Sequence, residues 1–132
     1  MVQVELSRII IDEQKKEQIV VLKEKDGTKL LPIIIGINEA AAIRMKLSGF
    51  VPPRPLTHDL IKNIIDTLGV QLEKVVIDKL VDSTFHAKLY VRRNGQSEMI
   101  DARPSDSIAL AVRTKSPLFV EDTIFDKLSG QG

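Results

Sequence analysis

Hydrophobic and polar positions along this chain change between a pattern typical of strands and a pattern typical of helices. The order of these patterns divides the chain into two similar halves. In each half, runs rich in β-branched residues predict three strands, and apolar residues spaced three and four apart then predict a helix. The strands are predicted at residues 2–11, 18–25, 29–35, 71–82, 84–93 and 96–101. The helices that close the two halves are predicted at residues 39–48 and 104–113. This pattern predicts a single α+β domain with mostly antiparallel strands, in which residues 2–48 and 71–113 form a pseudo-repeat and the helices pack against the sheet.

Polar residues and a glycine mark where further helices begin and end. Asn38 is predicted to cap the helix at 39–48. Thr57 is predicted to cap a strongly amphipathic helix at 58–68, and Gly69 to end it. A short strand and a final helix complete the pattern and are predicted at residues 118–120 and 122–128.

Asn94-Gly95 is the strongest turn signal in the chain, because this dipeptide favours a two-residue hairpin loop. If the loop has two residues, counting back along the two strands places Lys88 opposite Asp101. In the first half, Pro32 cannot donate a hydrogen bond to a neighbouring strand. Its strand is therefore predicted to lie at an edge of the sheet or to carry a bulge at Pro32.

The overall composition limits the classes of function that the chain can have. Its 132 residues, 43% hydrophobic and 28% charged, are enough for one domain with a core, and no apolar run is long enough to span a membrane. The absence of cysteine excludes disulfides and cysteine metal sites and suits a cytoplasmic protein. A net charge of +1, with only one Tyr and four Phe, argues against tight non-specific binding of nucleic acid. Any contact with nucleic acid is therefore expected to be weak, transient and local to an active site.

Two polar motifs stand where helices are predicted to begin, and each carries more charge than a turn requires. They are residues 54–59, with the sequence RPLTHD, and residues 101–107, with the sequence DARPSDS. In both, an Arg-Pro pair precedes a hydroxyl and an acid. Because helix N-termini attract anions, the motifs predict a site for a phosphate-like or carboxylate-like group. The alternative is that Thr57 and Ser105 only cap the two helices.

Three segments, in order, resemble the bifunctional nuclease (BFN) domain family. They are residues 31–36 (LPIIIG) with Glu39, residues 54–60 (RPLTHDL) and residues 101–112 (DARPSDSIALAV), and the resemblance covers nearly the whole chain. It implies a compact α+β domain, often dimeric, found in bacteria, archaea and plants, whose plant members act as nucleases on both RNA and DNA. The resemblance supports the fold more strongly than the chemistry, because function depends on the site rather than on the fold.

Four carboxylates are candidates for a metal-binding or basic role in phosphodiester hydrolysis: Glu39, Asp59, Asp101 and Asp106. If the two halves arose by duplication, rather than by convergence on the same hairpin-plus-helix arrangement, Glu39 and Asp106 occupy matching places in them. Carboxylate oxygens suit Mg²⁺ or Mn²⁺, and the spacing of Asp101 and Asp106 lets both reach one point between a strand end and a helix start. The alternative is that Asp101 pairs with Lys88 and that Asp106 only complements the helix dipole.

His58 lies in a first helical turn, where the positive end of the dipole favours a neutral imidazole that can act as a general base. Arg54 and Arg103 can bind phosphate through their planar guanidinium groups. The hydroxyls of Thr57 and Ser105 stand beside them as further phosphate ligands. The alternatives are that His58 is a surface residue without a role and that each arginine bridges to a local carboxylate.

Two hypotheses of different classes follow from these residues and the resemblance. In the first, the chain is a nuclease of relaxed base and sugar preference that hydrolyses RNA, DNA or both, assisted by Mg²⁺ or Mn²⁺. In the second, it is a non-catalytic, dimeric interaction or regulatory domain whose polar motifs bind a small anion or a protein partner. A homodimer is expected, because the alanine-rich helix at 39–48 and the edge-like strands suit tight pairing, and no membrane association is expected.

Overall fold

Seven strands form one sheet in the computed structural model, which describes residues 1–129 of the chain. The strands are β1 (Val2–Asp12), β2 (Glu17–Glu24), β3 (Leu30–Ile35), β4 (Gln71–Val81), β5 (Thr84–Arg93), β6 (Gln96–Ala102) and β7 (Leu118–Val120). The helices are α1 (Ile37–Leu47), α2 (Thr57–Thr67), α3 (Pro104–Thr114) and α4 (Asp122–Leu128). Every strand and helix predicted from the sequence is present, with ends that differ from the prediction by at most two residues.

The strands lie in the order β3-β2-β1-β7-β4-β5-β6. Each half of the chain contributes three consecutive antiparallel strands. The short β7 joins the halves, because it pairs antiparallel to β1 and parallel to β4. The predicted α+β domain with a mostly antiparallel sheet is therefore confirmed. The shared order of three strands and a helix fits the pseudo-repeat, although its origin by duplication stays a prediction.

The hairpin between β5 and β6 has the register that the sequence predicts. Asn94 and Gly95 both have positive φ, at 51° and 75°, as the favoured two-residue loop requires. Lys88 pairs with Asp101 across the two strands. At the other end of the sheet, β3 is an edge strand, as Pro32 indicates.

Helix α3 lies at the centre of the core and is buried on nearly all sides. Residues 108–111 are at most 3% exposed, because the sheet, α1 and α2 all pack against them. Close packing of this kind holds the polar first turn of α3 in a defined place. The helix is nevertheless short, and no helix among residues 1–129 is long and apolar enough to cross a membrane.

Helix α2 is only partly covered by the rest of the chain. His58 is its one buried residue, although several of its side chains are apolar. Leu60, Ile64 and Leu68 follow one another at intervals of four and are 52%, 47% and 53% exposed. We call these three residues the α2 ridge. The helix that carries His58 therefore presents an apolar surface to solvent.

Two of the predicted helix caps are wrong. Helix α1 follows Gly36, and Asn38 lies inside it rather than at its cap. Helix α2 begins at Thr57, which is its first helical residue. The cap is supplied from within the first turn, because the carboxylate of Asp59 accepts a hydrogen bond from the backbone N–H of Leu56 at 3.0 Å.

Candidate functional site

The N-terminal turns of α1, α2 and α3 meet at one place, and each contributes a polar side chain. These side chains are Glu39 from α1, His58 from α2 and Asp106 from α3, joined by Arg103 immediately before α3. The contacts connect residues that are 48 and 64 positions apart in the sequence. Four of the predicted site residues therefore form one connected cluster, which we call the helix-start cluster.

Asp106 links the cluster through both of its carboxylate oxygens. Its Oδ1 is 2.9 Å from Nε2 of His58. Its Oδ2 accepts a hydrogen bond from Nε of Arg103 at 2.9 Å and lies 2.8 Å from Nη2 of the same side chain. These charge-assisted contacts fix the orientation of the carboxylate and, through it, that of the imidazole ring.

Arg103 extends the cluster to Glu39 of α1. Its Nη2 donates a hydrogen bond to Oε1 of Glu39 at 3.0 Å. The other oxygen of Glu39 lies over Gly36, where a Cβ atom would come within 2.5 Å of it. The absence of a side chain at Gly36 therefore leaves the space that Glu39 occupies. The side chain of Arg103 is 66% exposed, so its guanidinium group still faces solvent while two carboxylates hold it.

The electrostatics of the cluster keep Asp106 ionised. Burial by itself raises the pKa of Asp106, but hydrogen bonds from His58 and Arg103 outweigh burial, and the pKa lies below its usual value. The hydrogen bond to Asp106 raises the pKa of Arg103 in turn. Because an ionised carboxylate can only accept hydrogen bonds, Nε2 of His58 must be the nitrogen that carries the proton and donates it to Asp106.

The second ring nitrogen of His58, Nδ1, has a free lone pair in the neutral side chain. His58 is 7% exposed. Within the part of the chain that the structure describes, Oδ1 of Asp78 is the only fully buried side-chain nitrogen or oxygen without a hydrogen-bond partner. Nδ1 of His58 also has no hydrogen-bond partner among residues 1–129. Because it is not one of the fully buried atoms, it keeps contact with solvent. A carboxylate that orients one nitrogen while the other can accept a proton is the arrangement of a general base.

Asp59 belongs to a different set of contacts, centred on Arg113 of α3. The Nε of Arg113 donates to Oδ1 of Asp59 at 2.7 Å, and the same guanidinium donates to the carbonyl oxygens of Ala42 and Ala109 at 3.1 and 2.8 Å. Burial raises the pKa of Asp59, but hydrogen bonds from Leu56 and Arg113 outweigh it, and the pKa lies below its usual value. Arg113, which is 5% exposed, therefore ties α1, α2 and α3 together.

Arg113 is not among the residues predicted from the sequence. The available signal was a single arginine at the end of an otherwise apolar stretch that becomes the core helix α3. Arginine is rarely buried unless its charge is paired, so a lone arginine in such a helix indicates a buried carboxylate partner.

Asp101 has contacts of its own on the sheet. The Nζ of Lys88 donates to Oδ1 of Asp101 at 3.2 Å and lies 3.5 Å from Asp78. The hydrogen bond to Asp101 raises the pKa of Lys88. The Asp101 side chain is 78% exposed and makes no hydrogen bond to the helix-start cluster among residues 1–129. The ion pair with Lys88 that the sequence offered as the alternative interpretation is therefore present.

The remaining predicted phosphate ligands are placed differently from one another. Arg54 and Thr57 are exposed, and neither makes a side-chain hydrogen bond or ion pair within the described residues. Ser105 is the second residue of α3, so it is not the cap of that helix. It is only 6% exposed. The phosphate-binding roles of these three residues stay predictions.

The carboxylates do not fit a resident metal site in this arrangement. Among residues 1–129, no group of three or more His, Cys, Asp or Glu side chains is arranged to hold a metal ion. Both oxygens of Asp106 and one oxygen of Asp101 are already occupied by hydrogen bonds. A cation held by these two carboxylates would have to displace Arg103 and Lys88. Ligation of Mg²⁺ or Mn²⁺ therefore stays a prediction of the sequence.

Known proteins are similar to this chain along most of its length. A model of the family described as the bifunctional nuclease domain matches residues 20–131. An uncharacterized protein from Mycobacterium tuberculosis is 42% identical over 124 residues, which make up 94% of this chain and 74% of that protein.

Two plant proteins are also similar. Bifunctional nuclease 2 from Oryza sativa subsp. japonica is 30% identical over 118 residues, and Bifunctional nuclease 1 from Arabidopsis thaliana is 34% identical over 105 residues. The matched regions cover 86% and 76% of this chain but 36% and 32% of the plant proteins. The chain therefore spans about a third of the length of each plant relative.

Proposed function

We propose that this chain, which belongs to the bifunctional nuclease domain family, is a nuclease that hydrolyses phosphodiester bonds in RNA, DNA or both. The names of the two plant relatives support this proposal. The observation that carries the chemistry is the hydrogen bond of 2.9 Å between His58 and Asp106. It gives a histidine whose free nitrogen can act as a general base beside an exposed arginine.

In the proposed reaction, Nδ1 of His58 takes a proton from a water molecule as the water oxygen attacks phosphorus. The new phosphorus–oxygen bond forms while the bond to the leaving oxygen on the opposite side of phosphorus breaks; the leaving oxygen takes a proton from water, and the proton on Nδ1 returns to solvent. Asp106 keeps Nε2 protonated and stabilises the positive charge that His58 carries between the two transfers. Attack by water needs no 2′-hydroxyl, which is consistent with action on both RNA and DNA.

Arg103 is proposed to bind the phosphate whose bond is broken. Its Nε and Nη2 are occupied by Asp106 and Glu39, which leaves the Nη1 donors available for a phosphate oxygen. Ser105, at the start of α3, is proposed as a second ligand. With a net charge of +1, the chain would depend on such local contacts rather than on a broad basic surface.

A homodimer is part of the same proposal, with α2 rather than α1 as its interface. Two of the three alanines expected to mediate pairing are buried within their own chain, since Ala40 and Ala42 are 0% and 8% exposed. The α2 ridge is instead a row of half-exposed apolar side chains, which favours association with a second copy. A cytoplasmic location, in keeping with the cysteine-free sequence, belongs to the same proposal.

The second candidate function is a non-catalytic domain that binds a small anion or a protein partner. Two observations favour it: the exposed α2 ridge and the near-neutral charge of the chain. Where the ligand is a small anion, both candidates place it at Arg103, and they then differ in whether a bond is broken there.

Digestion of end-labelled RNA and DNA oligonucleotides by the purified chain separates the two candidates. Parallel reactions contain EDTA, Mg²⁺ or Mn²⁺, and each is repeated with the Asp106→Ala variant. We expect cleavage by the wild-type chain and its near loss in the variant. Cleavage that stops in EDTA and returns with a divalent cation would establish metal assistance. If neither substrate is cut under any condition, the nuclease proposal fails and the binding domain is favoured.

A further inference from the structure

A pocket of about 420 Å³ lies beside Arg103 and extends beyond the two residues proposed to bind phosphate, Arg103 and Ser105. It is bounded by the edge strand β3, by the turn between β4 and β5, and by the start of α3. Its lining comes from residues 32–36, 83–85 and 103–105. We propose that this pocket binds one unpaired nucleobase of the substrate, together with the phosphate attached to it. This inference rests on the proposed nuclease function and adds the part of the substrate that the site recognises.

The end of the pocket at α3 has the chemistry of a phosphate site. Ser105 lines the pocket, is 94% buried, and makes no side-chain hydrogen bond within residues 1–129. The Ser105 hydroxyl is not fully buried, since Asp78 has the only fully buried unpartnered side-chain atom among those residues. A hydroxyl without a protein partner, on a largely buried residue that lines a pocket, can donate a hydrogen bond to a polar ligand there.

Two further groups at the same end favour an anion. The first hydrogen bond within α3 is donated by the amide of Ser107 to the carbonyl of Arg103, so the amides of Ser105 and Asp106 precede the helical ladder. The positive end of the helix dipole and the guanidinium of Arg103 add to these donors. Arg103 is the only charged residue in the lining, which makes the pocket complementary to phosphate.

Most of the remaining lining is apolar, and it includes one aromatic ring. That ring belongs to Phe85, which packs on the core while also lining the pocket. Ile34 of β3 also lines the pocket, with 61% of its surface exposed. Because β3 is an edge strand, every second residue directs its backbone N–H and C=O away from the sheet, where the polar edge of a base can meet them. An aromatic ring beside free backbone groups is a common arrangement for binding an unstacked base.

The volume of the pocket is sufficient for one nucleotide. Ligand pockets typically enclose about 300–1,000 Å³, and a space of about 420 Å³ falls within that range. A base inside a duplex is stacked and paired, and it can enter such a pocket only after it has been freed. The inference therefore predicts a preference for single-stranded over double-stranded substrates.

Calorimetric titration of the full chain measures each part of the pocket separately. The probes are adenosine 5′-monophosphate, ribose 5-phosphate and inorganic phosphate. Stacking of one base is worth roughly 5- to 100-fold in affinity. We therefore expect adenosine monophosphate to bind at least about fivefold more tightly than ribose 5-phosphate. Equal affinities for these two probes, or no binding of the nucleotide at millimolar concentration, would overturn the base pocket.

Two variants assign the effect to the apolar lining. Phe85→Leu should remove most of the difference between the nucleotide and ribose 5-phosphate, but it also touches the core. Ile34→Gln alters the same lining at an exposed position and should lower nucleotide affinity several-fold without changing ribose 5-phosphate binding. Ile11→Gln, at an exposed isoleucine of β1 outside the lining, is the matched control and should change neither. If the Ile34 and Ile11 variants behave alike, the pocket is not the binding site.

The proposed function and the base pocket can fail independently. Nucleotide binding that depends on Ile34, in a chain that cuts no oligonucleotide, would retain the pocket and remove the nuclease. Cleavage of single and double strands at equal rates would retain the nuclease and overturn the pocket.

Discussion

Replacing Asp106 with Asn separates the catalytic contribution of this carboxylate from its contribution to folding. The substitution keeps the size of the side chain and one acceptor oxygen, but it removes the charge and introduces an NH₂ donor. The remaining oxygen can still accept the hydrogen bond that His58 Nε2 makes at 2.9 Å. The NH₂ group then faces Arg103, whose side chain is 66% exposed and can turn towards Glu39 or water.

The expected loss of stability is small because no buried charge is left without a partner. A hydrogen bond to a charged group contributes roughly 1.5–3 kcal/mol and a neutral one roughly 0.5–1.5, so the change at His58 costs about 1 kcal/mol. The exposed pair with Arg103 adds little, and the helix-dipole contribution is about 0.3–1 kcal/mol. The total of about 1–2 kcal/mol corresponds to a decrease in Tm of about 5 °C.

The expected loss of activity is much larger. Without the carboxylate, no negative charge beside Nε2 stabilises the positive charge of protonated His58. The cleavage rate should therefore fall by about 100-fold or more. Thermal melts and cleavage rates at equal folded concentration measure both effects on one preparation.

Asp66→Asn is the matched control for this variant. It makes the same chemical change on α2, at a half-exposed carboxylate whose one side-chain partner among residues 1–129 is Lys62. Its activity should equal that of the wild type. The reasoning is refuted if the Asp106 variant is as active as this control, or if its Tm falls by more than about 15 °C and its activity merely follows the folded fraction.

Four further predictions test the contacts around the cluster. Arg113→Met removes the buried guanidinium that donates to Asp59, Ala42 and Ala109 and should cost about 3 kcal/mol in urea unfolding; a loss below about 1 kcal/mol would show that these contacts do not hold the three helices together. Because the pKa of Asp59 is lowered on folding, its stabilisation is full above the unfolded value of about 3.9 and is lost as the pH falls through the lower folded value. The free energy of unfolding, measured from pH 7 to 3, should show that decline. The decline should be smaller for Asp59→Asn, and identical profiles for the two proteins would refute the contribution of Asp59. Gly36→Ala should displace Glu39 and reduce cleavage while Tm changes by only a few degrees, and unchanged cleavage would remove Glu39 from the site. Ile64→Asp should convert the proposed dimer to a monomer in light scattering, and a monomeric wild type at tens of micromolar would end that proposal.

The fold could be predicted from the sequence because its signals are local. The Asn94-Gly95 dipeptide fixes a two-residue loop, and the period of two in the flanking strands then determines that Lys88 meets Asp101. The cap of α2 was predicted wrongly because two residues could supply it. Thr57 has the usual capping side chain, but Asp59 can reach back to the Leu56 amide, and the choice depends on geometry rather than on residue type.

The site could be predicted only in part, because its contacts join distant segments. The similar helix starts indicated that His58, Arg103 and Asp106 share one chemistry, and the structure brings them into contact. Nothing local distinguished Asp59 from Asp106, since each stands two or three residues into a helix after an arginine. Their partners differ because Arg113 reaches one of them from inside the core, and that packing is decided by the whole chain.

His58 is the residue on which the account depends most directly, and the chain has one other histidine for comparison. The deciding measurement is the cleavage rate of a labelled single-stranded oligonucleotide by His58→Asn and His86→Asn, purified side by side with the wild type. His86 lies within β5, outside the helix-start cluster. The account predicts that His86→Asn cuts at the wild-type rate and that His58→Asn is slower by about 100-fold or more. Equal rates for the two variants would contradict it.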